Sequence, residues 1–67
     1  METKGDKLLL RPVECADVLG LSRSKVYELL ASRTLPHIRI GSSVRIPTRA
    51  LRIWIKRQLQ AERAERR

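Results

Sequence analysis

The chain of 67 residues has one cysteine, one histidine, few acidic residues and no apolar run longer than three. Each scarcity excludes something. With Cys15 alone there is no intramolecular disulfide and no cysteine cluster for zinc, which fits a reducing cytoplasm and leaves the core to aliphatic side chains. His37 has no second histidine or paired cysteine with which to complete a metal site, so it reads as an exposed wing or core-edge residue. The three leucines Leu8 to Leu10 are too short for the apolar part of a signal peptide or for a membrane span, so neither export nor membrane insertion is expected. No paired carboxylates, Ser/His/Asp set or phosphate loop stands in the sequence, and a chain this short supports one domain without a large catalytic cleft. The expectation is a protein that is not an enzyme and takes no cofactor, no metal and no small-molecule effector.

What is abundant is positive charge. Fifteen Lys+Arg face seven Asp+Glu, giving a formal net charge of +8. Such a surplus favours polyanions, because each phosphate neutralised releases condensed counterions. Membrane surfaces compete for the same charge, but a membrane-bound helix carries bulky apolar residues along one whole face, whereas these cations are spread over several short elements. Nucleic acid is the expected partner.

Pattern then divides the chain. Pro12 suits the first position of a helix, Glu14 its positive end and Gly20 its stop, so a first helix is expected over 12–19, burying Pro12, Cys15, Ala16 and Leu19. Cys15 is then a small core residue. Ser22 is a helix N-cap, with Leu21 and Val26 at the spacing of a hydrophobic staple, and the two helices meeting at Gly20-Leu21 make a helix-turn-helix. Val26, Leu29 and Leu30 face inward. The outward face carries Ser24, Tyr27, Glu28 and Ala31, flanked by Arg23 and Lys25: small residues that allow close approach to a major groove, and cations near the helix start that reach guanine edges or phosphates. The same face could also be merely solvated.

The following segment favours the DNA reading. Pro36 ends the helix, and His37-Ile38-Arg39-Ile40 and Val44-Arg45-Ile46 alternate on either side of Gly41-Ser42-Ser43, which predicts a β-hairpin with a small tip. Ile38, Ile40, Val44 and Ile46 are expected on the core side, with Arg39, Arg45 and His37 turned away, the form of a DNA-binding wing. Thr48 is expected to cap a third helix whose Leu51, Trp54, Ile55, Gln58 and Leu59 close the core. Its other side carries Arg49, Arg52, Lys56, Gln60 and Arg63 around Ile53, a candidate contact for a protein partner or neighbouring copy. Beyond Gln60 the chain offers helix formers without core residues.

The order Leu10-Arg11-Pro12-Val13-Glu14-Cys15-Ala16, Leu19 to Tyr27 (LGLSRSKVY), Leu35 to Gly41 (LPHIRIG) and Arg45-Ile46-Pro47 resembles the excisionase family of small winged helix-turn-helix proteins, related in fold to the DNA-binding domain of MerR-type regulators. The resemblance runs from about Leu8 to Lys56. It implies a mainly α fold with a small β-hairpin, the second helix lying in the major groove and the hairpin acting as wing. The expected contacts are Ser22, Arg23, Ser24, Lys25, Tyr27 and Glu28 on the helix, and Arg39, Gly41, Ser42, Ser43 and Arg45 on the wing. Arg49, Arg52, Ile53 and Lys56 are the partner candidates. Arg11 stands where the family commonly has Thr or Ser as the first N-cap, and Ser42-Ser43 where a basic or Gly residue is common. A flexible tail over 1–7, a DNA-binding domain over 8–60 and a charged tail over 61–67 complete the expected layout. The role implied is a recombination directionality factor that binds and bends double-stranded attachment-site DNA and directs an integrase toward excision, alone or with neighbouring copies of itself. A stand-alone transcription regulator of a mobile element would use the same surface, and a basic module for an acidic protein partner is the reading from another class.

Overall fold

A computed structural model describes residues 7–65. The expected N-terminal tail lies outside these residues except for Lys7, and the expected C-terminal one is described as far as Glu65. In chain order the elements are β1 (Leu9–Leu10), α1 (Pro12–Leu19), α2 (Arg23–Ala31), β2 (Ile38–Ile40), β3 (Ser43–Pro47) and α3 (Thr48–Glu65). Both helices of the helix-turn-helix and the third helix are where periodicity predicts them.

α1 begins on the backbone preset of Pro12. Arg11 occupies the cap position without a capping side chain, because a guanidinium has no acceptor; Glu14 closes the gap by accepting from the Arg11 N–H at 2.9 Å. The Glu14 carboxylate also pairs with Lys7 and, at 3.6 Å, with Arg11. That N–H, then the Lys7 ammonium, hold its pKa down at about 2. At the other end Gly20 takes a left-handed φ of 70°, and Leu21 and Gly20 donate to the carbonyls of Ala16 and Asp17 at 2.9 and 3.2 Å. This is a Schellman motif, and it sets the turn into α2. The end of α2 repeats it with a non-glycine residue: Arg33 has φ 60°, while Thr34 donates to Leu29 at 2.9 Å and Arg33 to Leu30 at 3.1 Å.

The core is Leu10, Cys15, Ala16, Val26, Leu35, Ile46 and Leu51, with Leu19, Leu29, Leu30 and Trp54 packed around it. β3 is the hub, touching β1, β2, α1 and α3, and α1 in turn packs on α2. Burial pushes the Cys15 thiol above its ordinary pKa, as befits a small core residue.

The sheet departs from expectation in three ways. It has three strands in the order β1-β3-β2, all antiparallel, because Leu9 and Leu10 pair with Pro47 and Ile46. A two-residue stretch gives no alternation to read, so this strand is invisible in the sequence. Second, the hairpin turn is Gly41-Ser42, with Ser43 already in β3 opposite Ile40. Gly41 has φ 65°, the positive value that a type II′ hairpin needs at its first turn position. A turn one residue shorter than the expected Gly41-Ser42-Ser43 shifts the pairing by one, and a slip of one exchanges faces. Ile38 therefore stands opposite Arg45, and Arg39 opposite Val44. Of the four apolar strand residues only Ile46 is fully buried and Val44 half-buried; Ile38 and Ile40 are 42% and 55% exposed.

Third, Thr48 is not a side-chain cap. Its hydroxyl donates to the Lys7 and Leu8 carbonyls at 2.9 and 3.2 Å, and its N–H to Leu8 at 2.9 Å, fastening the start of α3 to the N-terminal strand. α3 then runs to Glu65 without a break. It closes the core through Leu51 and Trp54 only, whereas Ile55, Gln58 and Leu59 are exposed. Beyond Trp54 no side chain of the helix joins the core, and from Ile55 to Ala64 all are exposed.

Candidate nucleic-acid interface

The outer face of α2 is built from its first turn. Ser22, in extended conformation, accepts the Lys25 N–H at 3.1 Å and so satisfies one of the orphan donors of the helix start. The hydroxyl hydrogen of Ser22 is left to donate elsewhere. Val26 points inward and is fully buried, which turns Arg23, Ser24, Tyr27 and Glu28 outward, all of them exposed. Lys25 is exposed as well, but its ammonium lies 3.3 Å from Glu28, an i,i+3 pair on the surface. An anion approaching Lys25 competes with that carboxylate, whereas Arg23 makes no ion pair among those described. The helix thus offers a donor-rich first turn with Arg23 at its edge, and the positive end of its dipole adds to it.

The hairpin brings the expected wing residues together only in part. Gly41 and Ser42 form the exposed tip, and Ser43 is half-buried in β3. Arg39 is exposed on the face shared with Val44, while Arg45 lies on the other, with Ile38 and Ile40. The cations therefore flank the ribbon on both sides, in place of the single charged face expected. Arg45 is half-buried, its guanidinium donating to the Val44 carbonyl at 2.8 Å, which holds it along its own strand. His37, also half-buried, donates from Nδ1 to the Leu35 carbonyl, which can only accept, at 2.8 Å. It braces the entry to β2. On α3, Arg49, Arg52, Ile53 and Lys56 are all exposed.

Two exposed cations, Arg33 and Arg57, escaped sequence reading. Arg33 is exposed just past α2, and its signal would have been a non-glycine residue at the position where the helix-ending motif favours glycine.

A helix-turn-helix seated beside a β-hairpin on a common helix defines a winged helix-turn-helix protein. The family model for a helix-turn-helix domain matches residues 9–59. An excisionase from Streptomyces ambofaciens is 42% identical over 59 residues, covering 88% of this chain and 94% of that protein. A probable excisionase from Saccharopolyspora erythraea is 37% identical over 59 residues, again 88% of this chain but 60% of the longer relative. The chain belongs to the excisionase family of small helix-turn-helix proteins. No solved structure matches it.

Proposed function

We propose that this protein directs recombination by shaping DNA: it binds attachment-site duplex, bends it and turns an integrase toward excision. The observation that carries this reading is the open outer face of α2, which is the face a helix-turn-helix presents to a major groove, in a chain 42% identical to a protein named excisionase. Arg23 reads base edges from the helix start, Ser22, Ser24 and Lys25 hold phosphates, Tyr27 lies against sugar or a thymine methyl, and Glu28 orients Lys25. On the wing, Gly41 and Ser42 allow the tip to approach the backbone closely, Ser43 supports it, and Arg39 and Arg45 reach phosphates on either side of the ribbon. The bend costs a few kcal/mol, roughly, which these contacts offset. Arg49, Arg52, Ile53 and Lys56 meet integrase or an adjacent copy.

The test is reconstitution with the integrase and attachment DNA of the element that carries the gene. Addition of the protein is expected to turn the reaction toward excision and to retard attachment-site fragments in a gel, with mobility that depends on the position of the site within the fragment, as bending requires. Unchanged recombination with altered promoter activity would instead assign the same surface to a transcription regulator.

A further inference from the structure

Along α3 runs an apolar line that the core uses only at Leu51. Leu51, Ile55 and Leu59 recur at i, i+4 and i+8, so they lie along one side of the helix. Leu51 is buried, but from Ile55 to Ala64 every side chain is exposed, including Ile55 at 44% and Leu59 at 52%. The C-terminal end of α1 extends the same surface with Val18, 64% exposed. Between the two helices runs a groove of about 260 Å³, lined among others by Leu10, Val18, Leu19, Leu51 and Ile55, with Arg52 on its rim. This is not the Ile53 face. At 100° per residue Ile53 is roughly 160° round the helix from Ile55.

We propose that this groove receives the apolar stripe of an acidic amphipathic helix from another protein. An apolar line of about two turns, meeting a second helix end, is the shape into which a helical ridge packs. Charge selects the occupant. From Thr48 to Ala61 every charged residue of α3 is a cation: Arg49, Arg52, Lys56 and Arg57. Arg52, Lys56 and Arg49 lie about 60°, 100° and 120° round the helix from Ile55, all on one side of the apolar line, so a helix with Asp or Glu along the matching side of its stripe pairs with them, whereas the same stretch of a second copy offers no anion to do so. The contact is independent of DNA binding, because none of its residues belongs to α2 or the hairpin, so both partners can be held at once.

The probes are two synthetic helical peptides of identical composition spanning about four turns, one with leucines at i, i+4, i+8 flanked by glutamates and one with that stripe scrambled. With the whole chain, titration followed by NMR is expected to move the Val18, Leu51, Ile55 and Leu59 methyl signals with the striped peptide only. The double variant Ile55→Ser, Leu59→Ser is expected to weaken the striped peptide about tenfold or more. Ile53→Ser should leave it unchanged. Both altered residues are solvent-facing, so the double variant should retain its melting temperature and its retardation of duplex DNA, which confirms that it is folded. Equal binding of the scrambled peptide, shifts centred on Ile53, or sedimentation of the chain as a dimer that the double variant dissolves would each overturn the proposal, the last by giving the groove to a second copy.

Discussion

The two turns that end α1 and α2 share one hydrogen-bond pattern but not one residue type, and substitution at the two sites should have opposite signs. Gly20 sits at φ 70° and Arg33 at φ 60°. Around Gly20 no heavy atom stands within 4 Å of the place a Cβ would take, so Gly20→Ala meets no clash and the whole cost is backbone. A left-handed residue with a Cβ costs about 1–2 kcal/mol, from which the lower entropy of an unfolded chain with alanine recovers roughly half to one. The net expectation is about 1 kcal/mol of destabilisation. For Arg33→Gly the same terms reverse, and the fold should gain about 0.5–1 kcal/mol. Thermal unfolding followed by circular dichroism resolves both, since 1 kcal/mol moves the melting temperature of a domain this size by about 4–8 °C. A neutral Gly20→Ala, or a destabilising Arg33→Gly, would refute the argument. The second result would mean that the Arg33 side chain, which lines a shallow groove with Trp54, contributes more than its backbone costs.

Other expectations follow from the site and the core. Arg23→Ala should weaken binding to a selected duplex by about 1–3 kcal/mol and flatten the preference among sequences, whereas loss of affinity equal for all sequences would reduce Arg23 to a phosphate contact; competition gel shifts decide. Ile46→Ala should cost about 2–5 kcal/mol because the side chain is fully buried, while Ile40→Ala should stay within about 0.5 kcal/mol; comparable losses at the two sites would contradict the hairpin register. Glu14 is held at about 2 in the folded chain against an ordinary 4.5. A lowered folded pKa contributes stability that is present above about pH 4.5 and lost as pH falls toward 2, so Glu14→Gln should flatten unfolding midpoints over that window. An unaltered pH profile would show that the Arg11 N–H and Lys7 contacts do not persist in solution.

The sequence was readable wherever a period or a cap had enough residues to show itself. α1 and α2 followed from Pro12, Ser22 and the apolar spacing, and Cys15 from its place in that stripe. The hairpin was readable in its strands but not in its turn: Gly41-Ser42 and Gly41-Ser42-Ser43 both suit a tight connection, and only the actual pairing says which faces Ile38 and Ile40 share. In α3 the apolar pattern was real, but burial depends on what stands opposite: Ile55 meets only the open groove beside Val18, and Leu59 stands exposed. The outward side of α2 was legible because an inward Val26 fixes it by geometry. Arg39 and Arg45 were placed on one face by an alternation that the turn then undid.

The fastening of Thr48 to Lys7 and Leu8 bears on how the chain comes to be folded at all. The contact joins residues 41 positions apart, and the central strand β3 is paired on one side by β1 and on the other by β2. A ribosome that has released α1 and α2 has not yet supplied the strand on which both edges depend, so Leu10 waits for Ile46 to appear. Closing so wide a loop precedes the contacts that repay it. Folding should therefore be delayed until α3 is leaving the exit tunnel, and nascent chains arrested before Pro47 should remain protease-sensitive throughout, the helix-turn-helix included.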